Sequence, residues 1–314
     1  MALTRGTALR TVAVYGGVAM GPQVSALRSG CDIVVATPGR LLDHCRRGTT
    51  RLGALEVLVV DEADRMMDMG FLPDLRRILA ALPRERQSML FSATMPFAVL
   101  ELAYEEILRD PVLVEVGSQC APPATIAQSV YLVASDRKTD LLLDLLRREA
   151  MRSVLVFART RRRAERLTRQ LQRSNTNASC IHGDRSQSQR ERALERFRRR
   201  SLRVLVATDI AARGLDVEGV THVVNYDMPA VPLDYIHRIG RTARAGSDGE
   251  ALSLAAQEDA SVLADIERTL GRQIPRVTVA GLTEPELARK APAPARPFSR
   301  FSRMRRRPVR SRRR

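Results

Sequence analysis

The sequence predicts two α/β units, each built around a parallel β-sheet. Three observations carry this. Short, unbroken apolar runs rich in β-branched residues recur along the 314 residues, segments of helical period separate them, and polar clusters follow the runs instead of interrupting them. Strands that are apolar throughout are buried on both faces, which is the habit of parallel sheets covered by helices. Two successive sets of such strands imply two units.

The first set comprises TVAVYGG (11–17), DIVVATPG (32–39), VLVVDEAD (57–64), SMLFSAT (88–94) and VLVEVG (112–117). The second comprises QSVYLVA (128–134), SVLVFART (153–160), RVLVATD (203–209), HVVNYD (222–227) and EALSLAA (250–256). Helical patterns fill the gaps at 72–82, 97–108, 137–149, 161–173 and 187–199. Between the sets, GSQCAPPATIA (117–127) replaces periodicity with proline, glycine and small residues, so the hinge is expected there. The expected division is a first unit over 1–117, a linker over 118–126, a second unit over 127–280 and a disordered arginine-rich tail over 281–314.

Composition narrows the function classes. The net charge of +17 points to a polyanionic partner. Residues 289–314 hold twelve basic residues and no acid, so removing those twelve from the +17 leaves a body of only +5. The tail cannot bury a core, and it suits sequence-independent affinity for a nucleic-acid backbone by counterion release, a role in solubility, or attraction to a membrane surface; Phe298 and Phe301 are thin support for base stacking. No apolar run approaches the roughly 20 residues of a membrane helix, and residues 1–10 lack a signal-peptide stretch. A cytoplasmic monomer without membrane insertion is expected. Cys31, Cys45, Cys120 and Cys180 stand far apart and read as structural.

Polar clusters at the carboxyl ends of parallel strands are where such folds bind ligands. Asp61 directly follows an apolar strand, placed to hold Mg²⁺ through water. Glu62, one residue on, is placed to orient and deprotonate an attacking water. Alone, the tetrapeptide D-E-A-D reads equally well as a solvated turn opening a helix.

It does not stand alone. TPGR (37–40), DEAD (61–64), SAT (92–94) and HRIGRTARAG (237–246) occur in order, and together they resemble the DEAD-box ATP-dependent RNA helicases of bacterial type, from about residue 12 to 256. The resemblance implies two RecA-like lobes that clasp ATP and Mg²⁺ and bind single-stranded RNA mainly by its backbone. It implies Asp61 and Glu62 as the Mg²⁺ and hydrolysis carboxylates, and Asp64, Ser92 and Thr94 as residues that couple nucleotide state to RNA. It assigns Gly16, Gly17, Thr37, Pro38, Gly39 and Arg40 to the RNA face of the first lobe. In the second lobe it assigns Gln187, Arg190 and Thr208 to RNA, Asp209 and His237 to coupling, and Asp216 to the ATP ribose. Arg241 and Arg244 match arginine fingers; three residues apart, they are expected on one helical face. His44, His182 and His222 read as structural. Ala243, where many members of the family carry glycine, is expected in a helix with little effect.

One expected element is absent. Only two of the 52 basic residues are lysine, Lys138 and Lys290, and neither lies in G-x-x-x-x-G-K-[ST]. The resemblance places that phosphate loop upstream of VYGG, before Met1. The expectation is therefore a truncated first lobe with impaired ATP hydrolysis, in which Val57–Val60 presents an unpaired apolar edge. The alternatives are an ATP-independent RNA-binding or annealing protein, or a nonfunctional helicase fragment.

Overall fold

The computed structural model describes residues 4, 6–115, 125–212, 217, 219–243 and 248–281, with Ile210 by its backbone alone. The expected tail after Gly281 and most of the expected linker lie outside the described residues. The chain divides into two compact units, Met1–Ala121 with Asp184–Arg192, and Pro122–Gly183 with Ala193–Arg314. No helix among the described residues is long and apolar enough to cross a membrane.

In the first unit the order is β1 (Thr11–Val14), α1 (Met20–Arg28), β2 (Ile33–Ala36), α2 (Pro38–Arg46), β3 (Val57–Val60), α3 (Ala63–Asp68), α4 (Leu72–Ala80), β4 (Gln87–Leu90) and α5 (Phe97–Glu101). A π-helical stretch over Leu102–Ile107 continues α5. β1 pairs with β2 and β3 with β4, both in parallel, as two separate two-stranded sheets. Alternation along each strand decides what is buried. Val12 and Val14 pack on Leu27 of α1. Val60 packs with Leu42, Leu75, Ile78, Leu79, Val99 and Leu102, which gather α2, α4 and the α5 stretch on one face.

The other face is open. Val57 is 46% exposed and Val59 52%, and Ile33, Val35 and Phe91 are exposed as well. Among the described strands β3 pairs with β4 alone, so the apolar edge expected at Val57–Val60 is present. The strand expected at 112–117 is not found in its described part: residues 111–115 have no regular structure, Val112, Leu113 and Val114 are exposed, and residues 116–117 lie outside the described residues. An apolar run becomes a strand only where a neighbour accepts its hydrogen bonds, and none of the described strands does so here.

The second unit contains β5 (Ile126–Leu132), α6 (Lys138–Leu145), β6 (Val154–Phe157), α7 (Arg161–Arg173), β7 (Ala178–Ile181), the part of α8 (Gln187–Arg198) that follows Arg192, β8 (Val204–Ala207), α9 (Asp209–Ala212), β9 (His222–Asn225), α10 (Pro232–Ile239), β10 (Gly249–Ala255), α11 (Ala260–Leu270) and β11 (Arg276–Val277). Its seven strands form one parallel sheet in the order β11-β5-β10-β9-β6-β8-β7. β6, β8 and β9 are buried at every position, as their unbroken apolar runs require. One face packs Val154, Val156, Val204 and Val206 against Leu141, Leu167 and Leu171 of α6 and α7. The other packs Leu155, Phe157 and Leu205 against Ala193 and Phe197 of α8. β7 (ASCI) and β11 were not legible in the sequence, being short and only partly apolar.

A buried ion pair ties the start of α6 to the turn before α11. Lys138 donates to Asp259 at 2.9 Å, and the same carboxylate accepts the Ala256 N–H at 3.0 Å. Those partners satisfy charges that would otherwise be costly to bury.

The open face of β3 sets a first prediction. Replacing Val57 and Val59 with lysine, V57K/V59K, will lower aggregation on concentration, because charge on an exposed strand edge blocks pairing between chains. Light scattering checks it; unchanged aggregation would show that the edge is not the source.

Candidate active site and nucleic-acid interface

The acids after β3 are set by a turn in the backbone. Glu62 takes the left-handed conformation, φ 51° and ψ 48°, and caps α3. Asp61 accepts the Glu62 N–H at 2.8 Å, and both residues are exposed. Glu62 meets the buried guanidinium of Arg65 at 2.5 Å, one helical turn on. Arg65 thus fixes where the Glu62 carboxylate points, a role with no signal in the sequence beyond its place after DEAD.

Asp64 turns the other way, into the unit. Its Oδ2 accepts the Thr94 N–H at 3.0 Å and the Thr94 hydroxyl at 2.7 Å, and its Oδ1 accepts the Arg65 N–H at 2.9 Å. Ser92 Oγ accepts the Asp64 N–H at 3.2 Å and donates to the Thr94 carbonyl at 2.6 Å. The Ala63 N–H to Phe91 carbonyl bond, 3.1 Å, closes the same junction. DEAD and SAT are therefore one hydrogen-bonded unit, built because β3 and β4 are neighbours.

The residues expected at the first RNA face also come together. The Thr37 N–H donates to the Val14 carbonyl at 2.9 Å, joining the end of β2 to the end of β1. Pro38 opens α2, where its missing N–H costs nothing. Arg40 Nη1 donates to the Val18 carbonyl at 3.1 Å, bracing the loop that follows Gly16 and Gly17. Gly17 has φ +80°, a conformation that side chains resist. Gly39 lies in the first turn of α2.

In the second unit Thr208 and Asp209 follow β8 directly. Asp209 is held in a two-pronged pair by Arg238, at 2.5 Å to Nε and 2.7 Å to Nη2. Arg238, 2% exposed, also donates to Asn225 Oδ1 and to the Asp227 carbonyl, and lies 4.9 Å from the Phe157 ring centroid. This arginine joins the ends of β6, β8 and β9, and sequence reasoning passed over it although it sits between His237 and Arg241. His237 is half-buried, and its carbonyl accepts Arg241 Nε at 3.2 Å. At the start of α8, Arg190 donates to Gln187 Oε1 at 3.2 Å. Ser186 and Gln189 cap that start reciprocally, at 3.3 and 3.1 Å.

One expectation is corrected. Arg241 lies beyond the end of α10 at Ile239; Arg244, with which it is expected to share a helical face, lies outside the described residues, as does Asp216. Ala243 is not helical: it sits at φ 54°, in the left-handed region that favours glycine. Gly249 makes this turn possible, since a Cβ there would lie 2.6 Å from the Ala243 nitrogen.

The histidines have structural surroundings. His44 is fully buried between Thr49 Oγ1 at 2.8 Å and Gln23 Oε1 at 3.1 Å. Burial, then the charges of Arg40 and Arg47, push its pKa down. His222 is also lowered, by burial, against the raising effect of Glu250. His182 is buried 3.3 Å from Glu165.

The fit to Mg²⁺ and ATP is divided. No group of three metal-binding side chains occurs among the described residues, but Mg²⁺ keeps most of its water and needs only one or two carboxylates besides phosphate. Exposed Asp61 meets that requirement. The phosphate cradle is another matter: Lys138 is locked to Asp259, and the 314 residues contain no G-x-x-x-x-G-K-[ST].

The sequence matches the DEAD/DEAH box helicase family over residues 2–102 and the helicase conserved C-terminal domain over residues 137–246. It is 44% identical over 275 residues to the ATP-dependent RNA helicase RhlB of Pseudomonas syringae pv. tomato, covering 87% of this chain and 69% of that protein. It is 42% identical over 276 residues to the DEAD-box ATP-dependent RNA helicase CshA of Geobacillus kaustophilus, covering 88% of this chain and 59% of that protein. Among solved structures, S. cerevisiae Dbp5 bound to RNA and ADP BeF3 superposes with a TM-score of 0.77 at 29% identity, over 86% of this chain and 71% of that one.

Parallel sheets flanked by helices, with polar motifs at the strand ends, define RecA-like helicase lobes. The chain belongs to the bacterial DEAD-box RNA helicases.

Two substitutions test the second-unit geometry. Arg238→Met will destabilise the protein by about 3 kcal/mol, because it strips Asp209 and Asn225 of their donors; urea denaturation reads this directly, and a loss under about 1 kcal/mol would contradict it. Ala243→Gly will stabilise it by about 1 kcal/mol, by relieving the left-handed backbone. A lower melting temperature for this variant would be incompatible with the observed turn.

Proposed function

We propose that this chain carries the RNA-gripping and hydrolysis-coupling parts of an ATP-dependent RNA helicase that locally separates or remodels RNA strands. The observation that carries the reading is the Asp64–Ser92–Thr94 network, which makes the end of the acid-bearing strand and the S-A-T turn move as one. When bound, ATP with Mg²⁺ supplies the phosphoryl transfer that drives the cycle. Asp61 would hold the hydrated ion. Glu62, aimed by Arg65, accepts a proton from the attacking water. Asp64, Ser92 and Thr94, with Asp209 and His237 in the second unit, transmit nucleotide state to the RNA surface. Arg241 and Arg244 compensate transition-state charge, and Asp216 takes the ribose. RNA is held through its phosphates by Gly16, Gly17, Thr37, Pro38, Gly39 and Arg40, and by Gln187, Arg190 and Thr208.

One observation favours a second reading, an ATP-independent RNA binder or annealer: no G-x-x-x-x-G-K-[ST] occurs in the 314 residues. Without such a loop's amides and lysine, γ-phosphate positioning fails. Phosphate release by the purified chain, with and without single-stranded RNA, separates the two. RNA-stimulated release that Glu62→Gln abolishes supports the helicase. RNA binding without release supports the binder, and release unaffected by Glu62→Gln removes Glu62 from the mechanism.

A further inference from the structure

The outward face of α7 carries an arginine row that neither the core nor the motif residues use. Arg162, Arg166, Arg169 and Arg173 are spaced by four, three and four residues. At 3.6 residues per turn they fall within a strip about 60° wide, opposite the buried Ala164, Leu167 and Leu171. All four are exposed, and none has a carboxylate partner among the described residues. The other two N-terminal arginines of the helix are engaged: Arg163 pairs with Asp227 at 3.2 Å, and Arg161 has a contact of its own. The one acid on the helix, Glu165, is turned to His182.

A solvated face in an arginine-rich chain would intersperse acids, and the neighbouring helices do so. Arg199 pairs with Glu195 on α8, Arg268 with Asp265 on α11, and Arg147 with Asp144 after α6. On α7 four like charges are left uncompensated on a rigid rod, a cost in self-repulsion that a polyanion would relieve. From Arg162 to Arg173 the row rises by eleven residue steps, about 16 Å. A strand in a duplex carries a charge about every 3.4 Å of axis, so the row matches about five consecutive phosphates. Straight, regular spacing suits a stiff duplex better than a flexible single strand, and double-stranded RNA is read by backbone and shape.

We propose that the α7 row is a second nucleic-acid contact that binds the phosphate backbone of a duplex RNA flank, apart from the motif residues that hold the single strand. This rests on RNA being the substrate, as read above. The test uses the full chain with R162Q/R166Q/R169Q/R173Q, and a control with the same charge loss from paired exposed arginines, R77Q/R147Q/R199Q/R268Q. Affinity is measured against salt for a single-stranded RNA and for a hairpin bearing the same single strand.

The slope of log affinity against log salt is expected to fall by about three for the hairpin, by less than about one for the single strand, and little in the control. An unchanged hairpin slope, or an equal fall in the control, overturns the α7 row. Loss of binding to poly-glutamate with hairpin binding intact overturns it in favour of an acidic polypeptide partner. If the parent chain binds neither RNA, the substrate reading above falls with it; single-strand binding with an unchanged hairpin slope removes the α7 row alone.

Discussion

Parallel pairing is the constraint from which the rest of each unit follows. Within each sheet all strands run one way, so all their carboxyl ends lie along one rim. The strands themselves are mostly apolar and only two to seven residues long, so polar residues find their place where pairing stops. Asp61 to Asp64, Ser92 to Thr94, Thr208 with Asp209, and Asp227 are all such positions. Chemistry is concentrated at these ends because the ladder excludes it elsewhere.

At these strand ends, the buried Asp64 and the half-buried Asp209 are satisfied differently. Asp64 is surrounded by backbone N–H groups and a hydroxyl, all donated from its own turn and the adjacent one. Asp209 instead depends on a distant guanidinium delivered by α10. The first arrangement is local and needs only two neighbouring strands. The second joins three strand ends through one side chain, and its planar fork cannot be copied by lysine.

Much of this was legible in the sequence because apolar runs and punctuation agree. VLVF, VLVA and HVVN are strands buried on both faces, and the 161–173 pattern is a helix with those bounds. What escaped were features decided by neighbours in space. VLVEVG has every attribute of a strand but no described partner. ASCI lacks the attributes and becomes an edge strand because β8 offers it a ladder. Arg65 and Arg238 look like any other arginine until burial shows what they hold. Ala243 read as helical, although the glycine that many members of the family carry there was the one sign of a positive φ.

Among the described strands β3 is paired on one side only, which has a consequence for motion. The bonds from Gln87 to the Glu56 carbonyl and from Phe91 to the Val60 carbonyl show that the even-numbered residues of this strand face β4. In a parallel ladder the intervening residues address the opposite neighbour, so the N–H groups of Val57 and Val59 point to the open edge. Solvent therefore reaches the strand at every second residue. Amide exchange along β3 will alternate, with rapid labelling at Val57 and Val59 beside slow labelling at Leu58 and Val60, a two-residue rhythm within a stretch of three valines and one leucine that looks uniform as text.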